Sequence, residues 1–250
     1  MKLLSNHFCK LFCLLSYLVI SVCTYGQGES FYNPAQLGFT GLIYTPSAYL
    51  NPWKTVDIGF THFSKETSFT YRSGEASERA FLATMAFLPF AEISIKLTRP
   101  YSNIRPDFLA GTSSVRNWGI GDRSYSMRVQ LLKETTKRPA ILIGTQDPIG
   151  FGGFFTTNYL VISKSKNWNE FHVSASTGFG WAKNNSRDYL QGIFGGVQAT
   201  WKQLSVMTEY DTQQINIGVG YNFKNFIFLN VAFIDAQYFS GNISFRFQLN

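Results

Sequence analysis

Phe171-His172-Val173-Ser174-Ala175-Ser176-Thr177-Gly178-Phe179-Gly180-Trp181 is the stretch that decides the fold class. Phe171, Val173, Ala175, Thr177, Phe179 and Trp181 alternate with His172, Ser174, Ser176, Gly178 and Gly180. Strand side chains change face at every residue, so this run has one greasy face and one polar or very small face. Tyr125, Met127, Val129 and Leu131 alternate in the same way with Ser124, Ser126, Arg128 and Gln130. Runs of about ten such residues recur from Lys54 to the C-terminus, and no segment shows helical periodicity with caps.

A water-soluble sandwich carries the same alternation, so the compartment has to decide. Lys2 and Lys10 flank a short basic start, Leu11 to Val22 is uncharged and apolar, and Thr24 and Gly26 follow. This pattern predicts a signal peptide over residues 1–26, cleaved near Gly26–Gln27. The apolar run is about twelve residues, against the roughly twenty that a membrane-spanning helix needs. Downstream charge-free stretches such as Pro148 to Ser163 are interrupted by Gly, Pro, Thr and Asn. All three cysteines, Cys9, Cys13 and Cys23, lie in the leader. The exported chain is therefore expected to gain rigidity without disulfides, and a closed barrel supplies it. Acylation at Cys23 is the alternative, but the β-branched Val22 stands where Gly or Ala is expected.

Gln27 to Trp53 carries Pro34, Pro46 and Pro52 among several glycines and reads as an irregular segment over 27–53, either leading into the barrel or plugging it. Residues 54–250 read as the barrel. Candidate strands fall near 54–63, 67–73, 79–88, 91–99, 122–133, 139–147, 154–164, 169–182, 191–201, 203–211, 214–223, 226–235 and 241–249. These are thirteen, whereas bacterial barrels close with even numbers, so the expected architecture is all-β: a single antiparallel transmembrane β-barrel of about 12–14 strands. Lys224-Asn225, Leu88-Pro89-Phe90 and Thr135 to Arg138 read as tight connections; Tyr101 to Gly121 and Trp181 to Leu190 read as long outer loops. Trp53, Trp118, Trp168, Trp181 and Trp201 all fall at or beyond strand ends, as rings seeking the headgroup zone do.

The alternation orients the wall. Val56, Ile58, Phe60, Ile93, Ile95, Leu97, Leu204, Val206, Ile215, Ile217 and Val219 face lipid, with Ile243, Phe245 and Phe247. The lumen-lining candidates are Asp57, Lys96, Arg128, Gln130, His172, Glu209, Asp211, Asn216 and Arg246. A barrel of about twelve strands is wider than one that wall side chains fill and narrower than an open porin. Strands 154–164 and 226–235 sort poorly, since Phe226 and Phe228 would point inward beside Asn230; an internal plug or a register error would explain them.

The formal charge is +7, of which Lys2 and Lys10 carry two, and charged residues make up 15% of the chain against 17% aromatics. The modest excess is spread out, without the basic cluster of a nucleic-acid binder. Low charge and high aromatic content suit a wall that meets lipid outside and water inside.

Several segments resemble the YjbH family of Gram-negative outer-membrane barrels associated with exopolysaccharide production and export. They are Gly41-Leu42-Ile43-Tyr44-Thr45-Pro46-Ser47-Ala48, Leu88-Pro89-Phe90-Ala91-Glu92-Ile93-Ser94, and Asp122-Arg123-Ser124-Tyr125-Ser126-Met127-Arg128. Asp147-Pro148-Ile149-Gly150, Tyr159-Leu160-Val161-Ile162-Ser163-Lys164, Gly178-Phe179-Gly180-Trp181, Phe194-Gly195-Gly196-Val197 and Glu209-Tyr210-Asp211 complete the set. The resemblance implies an outer-membrane location, outer-membrane lipid as solvent, and polysaccharide and other secretion components as partners. Family members are often longer, with a second region after the first barrel. The terminal Phe247-Gln248-Leu249-Asn250 only approximates the aromatic ending of such barrels.

Catalytic readings weigh less. His7 lies in the leader, so His62 and His172 have no paired spacing for a metal. His172 and Ser174 share a strand face, as a lipase pair would, but that face is the lumen rather than the lipid. Glu209 and Asp211 share a face at a spacing compatible with a glycosidase pair, yet Lys96, Arg128 and Arg246 are there to pair with them. Gly150, Gly152 and Gly153 precede no Lys-Ser/Thr and no helix, which excludes a nucleotide loop. The expectation is a barrel without enzymatic activity, cofactor, metal, nucleotide or nucleic acid, supporting exopolysaccharide secretion as conduit or structural partner. An outer-membrane enzyme acting on lipid or glycan, and a plugged barrel without transport, are the alternatives. Asn216, Asn222, Gln130 and Gln198 are candidate sugar contacts along such a path.

Overall fold

Alternating side chains become a closed ring. The computed structural model describes residues 33–68, 77–100, 122–148, 156–182 and 189–249. Its strands are β1 (Thr55–Phe63), β2 (Glu78–Leu88), β3 (Ala91–Pro100), β4 (Asp122–Leu132), β5 (Ala140–Gln146) and β6 (Thr157–Trp168). They continue with β7 (Phe171–Trp181), β8 (Gly192–Trp201), β9 (Leu204–Tyr210), β10 (Ile215–Phe223), β11 (Ile227–Ile234) and β12 (Tyr238–Gln248). Each pairs antiparallel with its neighbours in chain order, and β1 closes on β12 from Thr55 opposite Gln248 to Phe63 opposite Ser240. A closed ring has no unpaired edge, which is what hydrocarbon demands of a spanning sheet.

Twelve strands is one of the two expected counts. The surplus candidate, 67–73, does not form one where it is described. Thr67 closes a turn by donating its N–H to the Ser64 carbonyl at 3.1 Å, and Ser68 lies beyond it. The rest of that candidate, the leader, the greater part of the Tyr101 and Trp181 loops, and Gly150 to Gly153 lie outside the described residues.

The wall is greasy outside. Along β9, Leu204, Val206 and Tyr210 are exposed while Ser205, Met207 and Glu209 are buried. In β10, Ile215, Ile217, Val219 and Tyr221 alternate outward against Asn216 and Asn222. Exposed aromatics end the strands, with Trp168 72% exposed at the end of β6 and Trp181 and Trp201 ending β7 and β8. Connections after even-numbered strands share the end from which β1 starts, and three of them, Pro89-Phe90, Asn169-Glu170 and Lys202-Gln203, have two residues. In the β10–β11 turn, Lys224 and Asn225 take φ 51° and 57°, the left-handed pair of a tight hairpin.

The apolar core sits in the lumen. Residues 33–51 are buried throughout, and Leu37, Phe39, Leu42, Ile43, Tyr44 and Leu50 form one cluster with inward-facing wall residues such as Leu82, Leu142, Tyr159, Val161 and Phe194. Burying each Leu, Ile or Phe stabilises by about 1.5–3 kcal/mol. The inner segment folds on itself through Ala35 N–H to Phe39 O (2.7 Å), Gln36 N–H to Ile43 O (2.9 Å) and Leu42 N–H to Thr45 O (3.0 Å). Gly41 is required in that last turn, because a Cβ there would lie 2.3 Å from the Thr45 carbonyl oxygen.

This arrangement explains the strands that sort poorly. Tyr159 and Val161 of β6 face the apolar part of the inner segment. Phe228 does point inward, beneath the Arg246 guanidinium at 4.4 Å from its ring centroid. Phe226 does not: it is exposed in the turn before β11 and packs edge-on to Phe245 and Phe247.

Candidate functional site

Three buried carboxylates on the inner wall hold the lumen segment. Glu209, one residue from the end of β9, points inward because the β9 alternation places Val206, Thr208 and Tyr210 outside. Its oxygens accept from the backbone N–H groups of Ile43 (2.9 Å), Tyr44 (2.7 Å) and Thr45 (3.0 Å) and from the Thr45 hydroxyl (2.7 Å). Three successive N–H groups converging on one carboxylate satisfy donors that would otherwise be orphaned in a dry interior. Asn216, opposite Glu209 on β10, donates its amide to both Glu209 and Asp211 at 3.0 Å, and Tyr189 donates its hydroxyl to the Tyr44 carbonyl at 2.8 Å.

Glu92 of β3 and Arg128 of β4 stand directly opposite in register and form a fully buried ion pair at 2.6 Å. Glu92 also accepts from Thr40 N–H (3.2 Å), the Thr40 hydroxyl (3.2 Å) and Asn51 N–H (3.1 Å). Arg128 donates to the Ser47 and Tyr49 carbonyls and lies over the Phe39 ring at 5.5 Å. Both charges are thus compensated by each other and by the backbone of the inner segment, the condition under which a buried pair is tolerated.

The third carboxylate marks the closing seam. Asp57 of β1 faces Arg246 of β12 and receives both arms of its guanidinium, at 2.8 and 2.7 Å. Asn51 joins this pair to the previous one. Its amide donates to Asp57 at 2.9 Å, its carbonyl oxygen accepts from Arg246 (2.8 Å) and from Thr40 (3.0 Å), and its own N–H reaches Glu92. Between the latches, Gln130 donates to the Ala48 carbonyl at 2.7 Å and Ala48 N–H donates to Ser163 at 2.8 Å.

The remaining candidates are placed as follows. Lys96 is buried on the inner face of β3. His172 is half-buried near the start of β7 and pairs its Nδ1 with the Asn167 side chain at 2.6 Å, and no hydrogen bond between the described residues joins it to Ser174. With Ser174, Ser176 and Gln198 it lines a cleft against Thr40 and Ser47 of the inner segment. Gln198 donates to Thr200 and Ser205, and Asn222 donates to Asn225 in its own turn. Among the described residues no group of three metal-ligating side chains occurs. Glu209 and Asp211 do not flank a space for a reacting atom: their oxygens converge on one amide and on the inner segment.

Glu92 and Asn51 are absent from the residues singled out by alternation alone. Glu92 was legible, since it shares the face of Ser94 and Lys96 along β3. Asn51 was not, because nothing periodic marks an irregular segment.

A sealed antiparallel ring with a lipid-facing apolar wall and a polar, charge-paired interior defines an outer-membrane β-barrel protein. The family model for YjbH, described as exopolysaccharide biosynthesis protein YbjH, matches residues 34–210, and the chain belongs to that family. Two of its latches join stretches that carried the resemblance: Gly41–Ala48 meets Glu209–Asp211, and Leu88–Ser94 meets Asp122–Arg128. Among solved structures the chain is similar to a KdgM porin, at 8% identity and TM-score 0.45 over 78% of this chain and 99% of that one. It is similar also to the KdgM porin in complex with disordered oligogalacturonate, at 8% identity and TM-score 0.46 over the same shares. No curated protein matches the sequence.

Proposed function

We propose that this chain is exported by its amino-terminal leader to the outer membrane of a Gram-negative bacterium, where it supports exopolysaccharide secretion as a barrel that rests closed. The observation carrying the reading is the nature of the closure. Glu209, Glu92 and Asp57 hold residues 40–51 by hydrogen bonds to backbone and amide groups. Such bonds can be exchanged for bonds to water or to a hydroxylated ligand, although each contributes about 1.5–3 kcal/mol because its acceptor is charged. A displaced segment would leave, beside the apolar patch of Leu82, Leu142, Val161 and Phe194, the carboxylates, amides and hydroxyls of the inner wall, groups that bond glycan hydroxyls. Family membership supports a glycan as the cargo.

The test has two arms. Deleting the gene in its own bacterium should abolish or sharply reduce surface polysaccharide, with the wild-type chain restoring it; unchanged polysaccharide would refute the role. In planar bilayers the wild-type barrel should be silent and Glu209→Ala should open brief conductance events. A second reading, a permanently plugged structural partner, is favoured by the apolar contacts of Leu37, Phe39 and Leu50. It predicts silence in both proteins together with the same loss of polysaccharide.

A further inference from the structure

The mouth where β1 begins and β12 ends is ringed with cations. Lys54 precedes β1, Lys202 lies in the β8–β9 turn and Lys224 opens the β10–β11 turn, and all three are exposed. Each ammonium sits over the ring of the residue before it, at 5.4 Å from Trp53, 4.8 Å from Trp201 and 5.6 Å from Phe223. Those rings are themselves exposed, and Trp201 and Phe223 end the outward-facing rows of their strands. Lys137 and Arg138 continue the ring on the turn before β5, and Lys166 lies two residues before the end of β6. Of the two acids described on these turns, Glu134 is held by Lys164 at 3.1 Å and Glu170 accepts from the Trp201 indole at 2.7 Å. The described turns of the opposite mouth carry the other sign, with Glu66, Asp147, Asp211 and Asp235 against Lys65.

Backbone geometry does not ask for lysine at these positions. Lys54, Lys202 and Lys224 have φ of 61°, 53° and 51°. That left-handed region suits Gly and Asn better than a long side chain. What lysine adds is a cation on a long stem, placed above a ring at the headgroup level.

We propose that this collar binds the phosphate of anionic glycerophospholipids in the leaflet beside the chain termini, with Lys54, Lys202 and Lys224 each holding a headgroup above its aromatic neighbour. The ammonium groups lie over the lipid-facing rings, not over the lumen, so the anion they meet is one anchored in the surrounding leaflet. The inference rests on the outer-membrane barrel class and is independent of any role in polysaccharide secretion.

The full chain is reconstituted in phosphatidylcholine bilayers containing a minority of phosphatidylglycerol, one or the other lipid being brominated, and tryptophan quenching reports which surrounds the wall. Phosphatidylglycerol should be enriched about two- to five-fold over its bulk fraction, since each surface lysine contributes roughly a five-fold preference for an anionic leaflet. High salt should remove the enrichment. The triple variant K54N/K202N/K224N keeps residues that tolerate left-handed backbone; it should retain the heat-modifiable gel shift of a closed barrel and lose the enrichment. If the triple variant fails to assemble, each single variant should lose part of it. Quenching by each lipid in proportion to its bulk fraction in the wild type, or an enrichment that survives all three substitutions, overturns the proposal. So does binding of soluble polygalacturonate at the same lysines without lipid preference, which would assign the collar to a soluble polyanion.

Discussion

Glu92 and Arg128 are register partners on adjacent strands, and their side chains meet at 2.6 Å with neither reached by solvent. The pair is wall and latch together: the strand ladder sets its spacing, while the backbone of residues 40–51 adds hydrogen bonds to both members. Removing either member leaves a charge in a place that water does not reach.

Arg128→Ala should therefore lower the unfolding free energy by about 3–5 kcal/mol, the usual cost of stranding one member of a buried ion pair. Arg128→Lys keeps the charge but loses the forked donation to Ser47 and Tyr49, and should fall between wild type and Arg128→Ala. Urea midpoints read from the heat-modifiable gel shift check both; an Ala variant as stable as wild type would show that the pair is dispensable.

Glu209→Ala removes the acceptor for the Ile43, Tyr44 and Thr45 N–H groups. Each orphaned buried donor costs about 1–3 kcal/mol, so the turn should be released locally before the barrel opens. Hydrogen exchange at residues 43–45 should accelerate by at least about a hundredfold while exchange in the ladder of β10 and β11 stays slow. Uniform acceleration everywhere would mean that the segment is not a separable unit.

Gly41→Val places a branched side chain against the Thr45 carbonyl, where even a Cβ would come within 2.3 Å. The Gly41–Pro46 bridge should not form, with a loss of about 1–3 kcal/mol from the strain. Protease cleavage within residues 41–46 of the assembled barrel, absent in wild type, is the readout.

Glu134, in the turn between β4 and β5, gives an acid-sensitive anchor. Burial pushes its carboxyl upward, but the bonds from the Tyr49 hydroxyl, the Ser165 N–H and Lys164 outweigh it and hold the group below its ordinary value of 4.5. A carboxylate lowered by folding adds stability that is complete above its unfolded value and is lost as pH falls through its folded one. Lowering the pH from 7 to 3 should loosen Tyr49 in wild type, read as a smaller protection factor at residues 48–50 once the intrinsic pH dependence of exchange is divided out, and Glu134→Gln should remove that loss of protection. A variant that keeps the wild-type acid response would exclude Glu134 as its source.

Much of the barrel was readable from side-chain alternation. The runs around Ile58, Tyr125, Phe179, Val206 and Ile217 set which residues meet lipid, because a strand has a period of two and the greasy face has no other place to go. At Thr67 the β-branched side chain suggests the start of a strand, whereas Ser64 and Thr67 close a turn there. Phe226 is a related case: its spacing puts it in register with the strand, whereas it belongs to the three-residue connection before Ile227.

Left to itself, the amino-acid sequence determined the strand class, the apolar outer wall, the aromatic ends and the polar inner face of Asp57, Arg128, Glu209 and Arg246, since all of these follow from a local period. Tertiary structure alone decided which carboxylate meets which donor. Asn51 lies between Glu92, Asp57 and Arg246, and Glu209 receives the N–H groups of a turn more than 160 residues earlier in the chain. Those contacts run between an aperiodic segment and a closed wall, and only ring closure brings them within hydrogen-bonding distance.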